Sequence, residues 1–138
     1  MTSTLIDSNV LIDIFDEDAA WFEWSSRRLH EARLEGALVV NAVIASEVAM
    51  SFSQETVFEK TMPPSMFFRE ELPWGAGFLA SRASLGYRKR GGKRERTLPD
   101  FLIGAHAMLG GHRLLTRDAR RYRTCFPTLN IIAPDTHP

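Results

Sequence analysis

Four acidic residues stand where a charge is unfavourable. Asp7 directly follows Thr4-Leu5-Ile6, with Val10 and Leu11 just beyond. Glu47 is the one charged residue from Asn41 to Gln54, a stretch otherwise of Ala, Val, Ile, Met, Ser, Phe and amides. Asp100 lies in Leu98-Pro99-Asp100-Phe101-Leu102-Ile103-Gly104-Ala105, and Asp118 in Leu115-Thr116-Arg117-Asp118. A buried, unpaired charge needs a cation, hydrogen-bond donors or an edge at solvent. Each acid has a bland role open to it. Asp7, Asp100 and Asp118 suit helix N-termini, and Glu47 suits a solvent margin. Four carboxylates brought together repel, so without a cation some stay protonated. A hard, oxygen-seeking Mg²⁺ or Mn²⁺ removes that conflict and commonly also binds phosphate. One or two such ions activate water and polarise a phosphoryl oxygen. No His or Cys cluster pointing to zinc is visible in the sequence.

The surrounding pattern brings these acids to one place. Thr4–Ile6, Leu38–Val40, Met66–Phe68, Arg113–Thr116 and Leu129–Ile132 read as short strands. Helical spacing predicts Val10–Phe15 capped by Ser8 or Asn9, then Ala19–Leu34, Ala42–Phe52 capped by Asn41, Gly75–Tyr87, a helix from Pro99 to Gly110, and Asp118–Cys125. Residues 88–97 read as a polar loop. Strands alternating with helices imply an α/β fold with a mainly parallel sheet covered on both faces. Ligands of such sheets bind outside the carboxyl ends of the strands. Asp7 and Asp118 sit at two such ends, Asp100 begins a helix, and Glu47 lies about a turn into one.

The 138 residues suit one domain, 1–138, with no apolar run of the roughly 20 residues that span a bilayer. No secretory signal is visible, and the lone Cys125 excludes an internal disulfide, so a cytoplasmic setting is expected. Net charge is zero, with 17 basic and 17 acidic side chains, which alone argues against a nucleic-acid partner. The distribution argues otherwise. Residues 1–81 hold 13 of the acids, and residues 82–138 hold 12 of the basic groups. The segment Arg88-Lys89-Arg90-Gly91-Gly92-Lys93-Arg94-Glu95-Arg96 is the densest basic run. It reads as a solvated loop or, with Arg113, Arg117, Arg120, Arg121 and Arg123 nearby in the chain, as a grip on phosphates.

The segments Leu5-Ile6-Asp7-Ser8-Asn9-Val10-Leu11-Ile12, Ala45-Ser46-Glu47, Leu98-Pro99-Asp100-Phe101-Leu102-Ile103-Gly104-Ala105-His106-Ala107 and Leu115-Thr116-Arg117-Asp118 together resemble the PIN-domain ribonucleases. The likeness is to the VapC toxins of VapBC-type toxin–antitoxin systems. It implies a three-layer α/β/α fold and endoribonuclease activity on structured RNA such as tRNA or rRNA. It also implies a homodimer and a VapB-like antitoxin that blocks the site. By the same resemblance Asp7, Glu47, Asp100 and Asp118 hold Mg²⁺ or Mn²⁺, while Asn9 and Thr116 are supporting members. Arg88, Lys89, Arg90, Lys93, Arg94, Arg96 and Arg117 are the expected RNA contacts. Two other readings stay open: a structure-selective DNA nuclease, and a non-catalytic RNA-binding module whose acids only cap helices. His106 is expected to pack or hydrogen-bond, His112 to lie at a turn surface, and Asp13, Asp16, Glu17 and Asp18 to form a solvated acidic turn. Trp21, Phe22 and Trp24 read as core or as a partner groove.

Overall fold

Strands of three residues gain stability by joining a larger sheet whose faces are covered by helices. The computed structural model, which describes residues 1–92 and 98–138, shows how this chain achieves this. The elements run β1 (Thr4–Ile6), α1 (Ser8–Phe15), α2 (Phe22–Glu35), β2 (Leu38–Val40), α3 (Ala42–Ala49), α4 (Glu55–Thr61) and β3 (Phe67–Arg69). They continue with α5 (Gly75–Lys89), α6 (Leu98–Gly110), β4 (Arg113–Leu115), α7 (Arg120–Arg123) and β5 (Ile131–Ile132). The five strands form one sheet in the order β3-β2-β1-β4-β5, and every pairing is parallel. α1 packs with α2 and α3, α6 packs with α5 and α7, and the helices cover both faces of the sheet in three layers. β1 and β2 are buried throughout, so the apolar run of each serves both faces. Leu5, Ile6, Leu11, Ile44, Ile103, Leu114 and Leu115 are wholly buried around them.

Several boundaries differ from the sequence expectation for identifiable reasons. The N-cap of α1 is Asp7, not Ser8 or Asn9. α2 starts at Phe22 because Asp18 Oδ1 accepts from the backbone N–H of Ala20 and of Trp21, both at 2.9 Å, which holds 18–21 as a turn. Asn41 caps α3 as expected, its Oδ1 accepting from Ile44 N at 2.9 Å, but that helix stops at Ala49. α4 has no counterpart in the sequence reading. It buries none of its residues and is tied down by Phe58, whose ring meets Phe52 edge-on with centroids 5.6 Å apart. α5 continues to Lys89, so Arg88 and Lys89 form its last turn rather than a loop. α7 is four residues long and does not begin at Asp118.

Candidate active site

The sheet order reverses between β1 and β4: the chain moves from β1 outward to β2 and β3, then crosses back to β4 and β5. A crevice opens at the carboxyl end of such a pair. Asp7 leaves β1 there, its N–H bonded to Leu115 O at 2.9 Å, and Thr116 leaves β4 beside it. Asp7 occupies the N-cap position of α1 but makes no capping bond. Its Oδ2 accepts instead from Thr116 Oγ1 and from Tyr122 Oη, both at 2.8 Å. The carboxyl is almost fully buried. Burial pushes its pKa above the usual range; the Tyr122 and Thr116 bonds pull against that, and the charge of Asp100 adds to it.

Thr116 is the hub. Its one hydroxyl proton goes to Asp7, and its oxygen accepts from Asn9 Nδ2 at 3.3 Å and from Asp118 N at 3.1 Å. Asn9 Oδ1 in turn accepts from Arg117 N at 3.2 Å, which ties α1 to the loop after β4. Glu47, partly exposed on α3, takes a 2.9 Å hydrogen bond from Ser8 Oγ on its Oε1. Its pKa is raised by burial and by the charges of Asp7 and Asp100, against the pull of Ser8 and Arg121. Asp100, buried in the first turn of α6, and Asp118 are bridged by one guanidinium. Arg121 Nη1 lies 3.2 Å from Asp100 Oδ1, and Arg121 Nε lies 3.0 Å from Asp118 Oδ2. The structure thus brings Asp7, Glu47, Asp100 and Asp118, with Asn9 and Thr116, into one electrostatic set.

Residues 4–127 match the family described as the PIN domain. The chain belongs to that family. Its fold is shared with VapBC2 of Rickettsia felis, solved bound to a DNA fragment from its promoter (TM-score 0.73, 11% identity, 96% of this chain and 98% of that one). It is shared with FitAcB of Neisseria gonorrhoeae (TM-score 0.73, 15% identity, 98% and 99%). A toxin–antitoxin complex from Klebsiella pneumoniae is 25% identical, with a TM-score of 0.57 over 95% and 97%. No curated protein sequence matches the chain significantly. As a PIN domain the chain is a metal-dependent nuclease, a hydrolase. Its all-oxygen donor set fits a hard divalent cation, and Arg121 already stands there as a positive charge between two of the carboxylates.

Two residues of this PIN domain's site escaped the sequence reading. Tyr122, wholly buried, donates to Asp7, and burial with the Asp7 and Asp100 charges holds its own pKa well above normal. Only its place in the Arg120–Arg123 turn aims it at the crevice, and no local spacing signals that. Tyr122→Phe is expected to raise the Asp7 pKa further and to lower stability by about 1 kcal/mol, the net worth of one buried hydrogen bond. The acid limb of the cleavage rate–pH profile then moves to higher pH; an unmoved limb would show that Tyr122 does not tune Asp7. The second missed role is that of Arg121, read beforehand only as one of several phosphate-gripping arginines.

The basic residues distribute unevenly. Arg88, Lys89 and Arg90 are exposed at the end of α5, while Lys93, Arg94 and Arg96 lie outside the described residues. Arg117 pairs with Asp13 through Nε–Oδ2 at 2.8 Å and Nη2–Oδ1 at 3.0 Å, and its guanidinium lies 5.6 Å from the Trp21 ring centroid. Asp13 is therefore buried, also accepting from Ser25 Oγ at 3.0 Å, and is no part of a solvated turn. Arg113 pairs with Glu35 at 2.7 Å, at the amino ends of the strands, and Arg123 pairs with Asp135. His112 is buried rather than at a turn surface.

His112 belongs to a cluster that the sequence did not suggest. Glu70 Oε1 meets His106 Nε2 at 2.7 Å and His112 Nε2 at 2.8 Å. The expectation of no histidine cluster is corrected, because one ligand atom from each of these three residues lies within 4.8 Å of the others, close enough to hold a metal ion. Among the described residues no other such group of three appears, so the four acids stand further apart. The cluster is also a complete hydrogen-bond chain. Asn41 Nδ2 faces His106 Nδ1 at 2.8 Å, and Ser3 Oγ faces His112 Nδ1 at 2.6 Å. Because Asn41 Oδ1 is committed to Ile44 N, His106 accepts at Nδ1 and donates from Nε2 to Glu70. Burial raises the Glu70 pKa, but bonds from His112 and His106 outweigh that and hold it below normal.

Proposed function

We propose that this protein is a Mg²⁺- or Mn²⁺-dependent endoribonuclease that hydrolyses phosphodiester bonds of structured cellular RNA, tRNA or rRNA. In this reading it is a VapC-like toxin: a single PIN domain, 1–138, acting in the cytoplasm as a homodimer and restrained by a VapB-like antitoxin. The observation that carries the proposal is the convergence of Asp7, Glu47, Asp100 and Asp118 at the β1/β4 crevice of a PIN fold. The VapBC and toxin–antitoxin complexes of the same fold support the antitoxin partner. Among the described residues no helix is long and apolar enough to cross a membrane.

Asp7, Asp100 and Asp118 would hold the divalent ion. When bound, it supplies a Lewis acid for the phosphate and lowers the pKa of water. Thr116 and Tyr122 fix Asp7 by Oδ2, while Oδ1, with only a long 3.4 Å contact from Ser8 Oγ, would face the ion. Ser8 occupies Glu47 Oε1, and Oε2 orients the attacking water and takes its proton, a role that a raised carboxyl pKa suits. Arg88, Lys89 and Arg90, with Lys93, Arg94 and Arg96, hold flanking phosphates, and Arg117, paired through Nε and Nη2 with Asp13, offers them Nη1. Such contacts place the substrate without reading its sequence.

The test is parallel digestion of folded tRNA, rRNA fragments and flap DNA with Mn²⁺, with and without excess EDTA. RNA products that disappear with EDTA are expected. Cutting of the flap DNA alone would indicate a DNA nuclease. RNA binding that weakens with salt but yields no product would indicate a binding module.

A further inference from the structure

Four carboxylates face the same crevice, and the structure neutralises two of them with a side chain of its own. Arg121 reaches from α7 to Asp100 Oδ1 at 3.2 Å and Asp118 Oδ2 at 3.0 Å. Both carboxylates belong to the set that would hold a divalent ion. The two contacts are longer than the 2.7–2.9 Å of strong charge-assisted pairs, which Arg117 with Asp13 attains at 2.8 Å. The side chain of Arg121 is 41% exposed, so it can swing toward solvent without opening a hole in the core. We propose that Arg121 is a tethered counter-cation that competes with the divalent ion for Asp100 and Asp118 and, once displaced, binds a substrate phosphate. This rests on the metal-dependent reading above.

The physical argument has three steps. A guanidinium carries one positive charge in a planar fork and spans two carboxylates that would otherwise repel. A hard divalent ion carries twice the charge and draws the carboxylate oxygens to itself. A guanidinium seated on both carboxylates offsets their charge and repels an incoming divalent ion, so loading the ion drives Arg121 outward. The freed fork stays anchored on α7 at the crevice mouth, where a phosphate offers it the same bidentate geometry as a carboxylate. Arg121 therefore opposes metal binding before the substrate arrives and attracts the substrate afterwards.

Mn²⁺ binding to the whole protein, followed by electron paramagnetic resonance of the free ion, tests this without reference to turnover. Arg121→Ala is expected to bind Mn²⁺ at least about tenfold more tightly, since a nearby positive charge has gone. It should melt lower than wild type in EDTA, gain more from added Mn²⁺, and show a raised KM for RNA at saturating Mn²⁺. Arg121→Lys keeps a charge but cannot span both carboxylates, and should fall between; it also serves if the alanine variant does not fold. Equal or weaker Mn²⁺ binding by the folded variants overturns the competition. Wild-type binding that is undetectable, or unaffected by Asp100→Asn, overturns the metal reading and the inference together. Binding that depends on Asp100 but ignores Arg121 overturns the inference alone.

Discussion

Asp7→Asn loses RNA cleavage and gains stability in the metal-free state. The loss is expected to be at least about a hundredfold, the scale on which removing one electrostatic stabiliser is felt. The gain follows from burial. Asp7 is only 2% exposed, and its carboxyl is held above its ordinary pKa mainly by desolvation. A group with a raised folded-state pKa favours the fold fully below its unfolded value, and that contribution is lost as pH rises through the folded value. As pH rises Asp7 thus contributes progressively less to the fold, and Glu47, also raised, adds to that loss. Asparagine keeps an oxygen for Thr116 and Tyr122 but removes the charge, a change worth about 1–2 kcal/mol at such functional sites. Melting curves in EDTA from pH 4 to 8 should show wild type weakening with pH more than the variant. A variant that melts lower than wild type at pH 7 would mean that the charge is better compensated than burial suggests.

Gly104→Ala is expected to destabilise the protein by about 1–3 kcal/mol, the cost of overpacking a filled core. Glycine in a helix normally loses to alanine by about 0.5–1 kcal/mol, so helix propensity predicts the opposite sign. Contact decides it. A Cβ on Gly104 would sit 2.3 Å from Phe126 Cε2 and 2.6 Å from its Cδ2, and that ring is itself buried. Gly104 lies one turn from Asp100 on α6, and Phe126 N bonds to Tyr122 O at 2.8 Å. The displacement therefore reaches both Asp100 and the tyrosine that holds Asp7, so cleavage falls with stability. Gly77→Ala, in α5 with nothing within 4 Å of its added carbon, is the control and should be neutral or stabilising. If the two variants melt alike, the close approach at Gly104 is relieved by movement elsewhere.

The strands were legible because each is an apolar run flanked by a residue that leaves the sheet, and all five appear where expected to within two residues. The acids were legible because a charge within such runs is conspicuous. What escaped was chemistry set by distance in space. Tyr122 and Asp7 are 115 residues apart in sequence, and Glu70 just after β3, His106 within α6 and His112 just before β4 come together only in the fold. Nor could composition tell a free cation from a paired one: Arg113, Arg117 and Arg123 each have an acidic partner of their own. Asp13 was misjudged for the same reason, since Arg117, which permits its burial, comes from beyond β4.

β1 lies at the centre of the sheet, between β2 and β4, and that placement has a consequence in time. Asp7 leaves the ribosome before its partners; Thr116 follows 109 residues later and Tyr122 a further six. At common rates of synthesis that interval is about 6 to 23 seconds. Throughout it the nascent chain carries the first carboxylate without the groups that fix it and without Asp118 or Arg121. An enzyme whose first strand waits for partners 109 and 115 residues further on stays silent until those residues have been made.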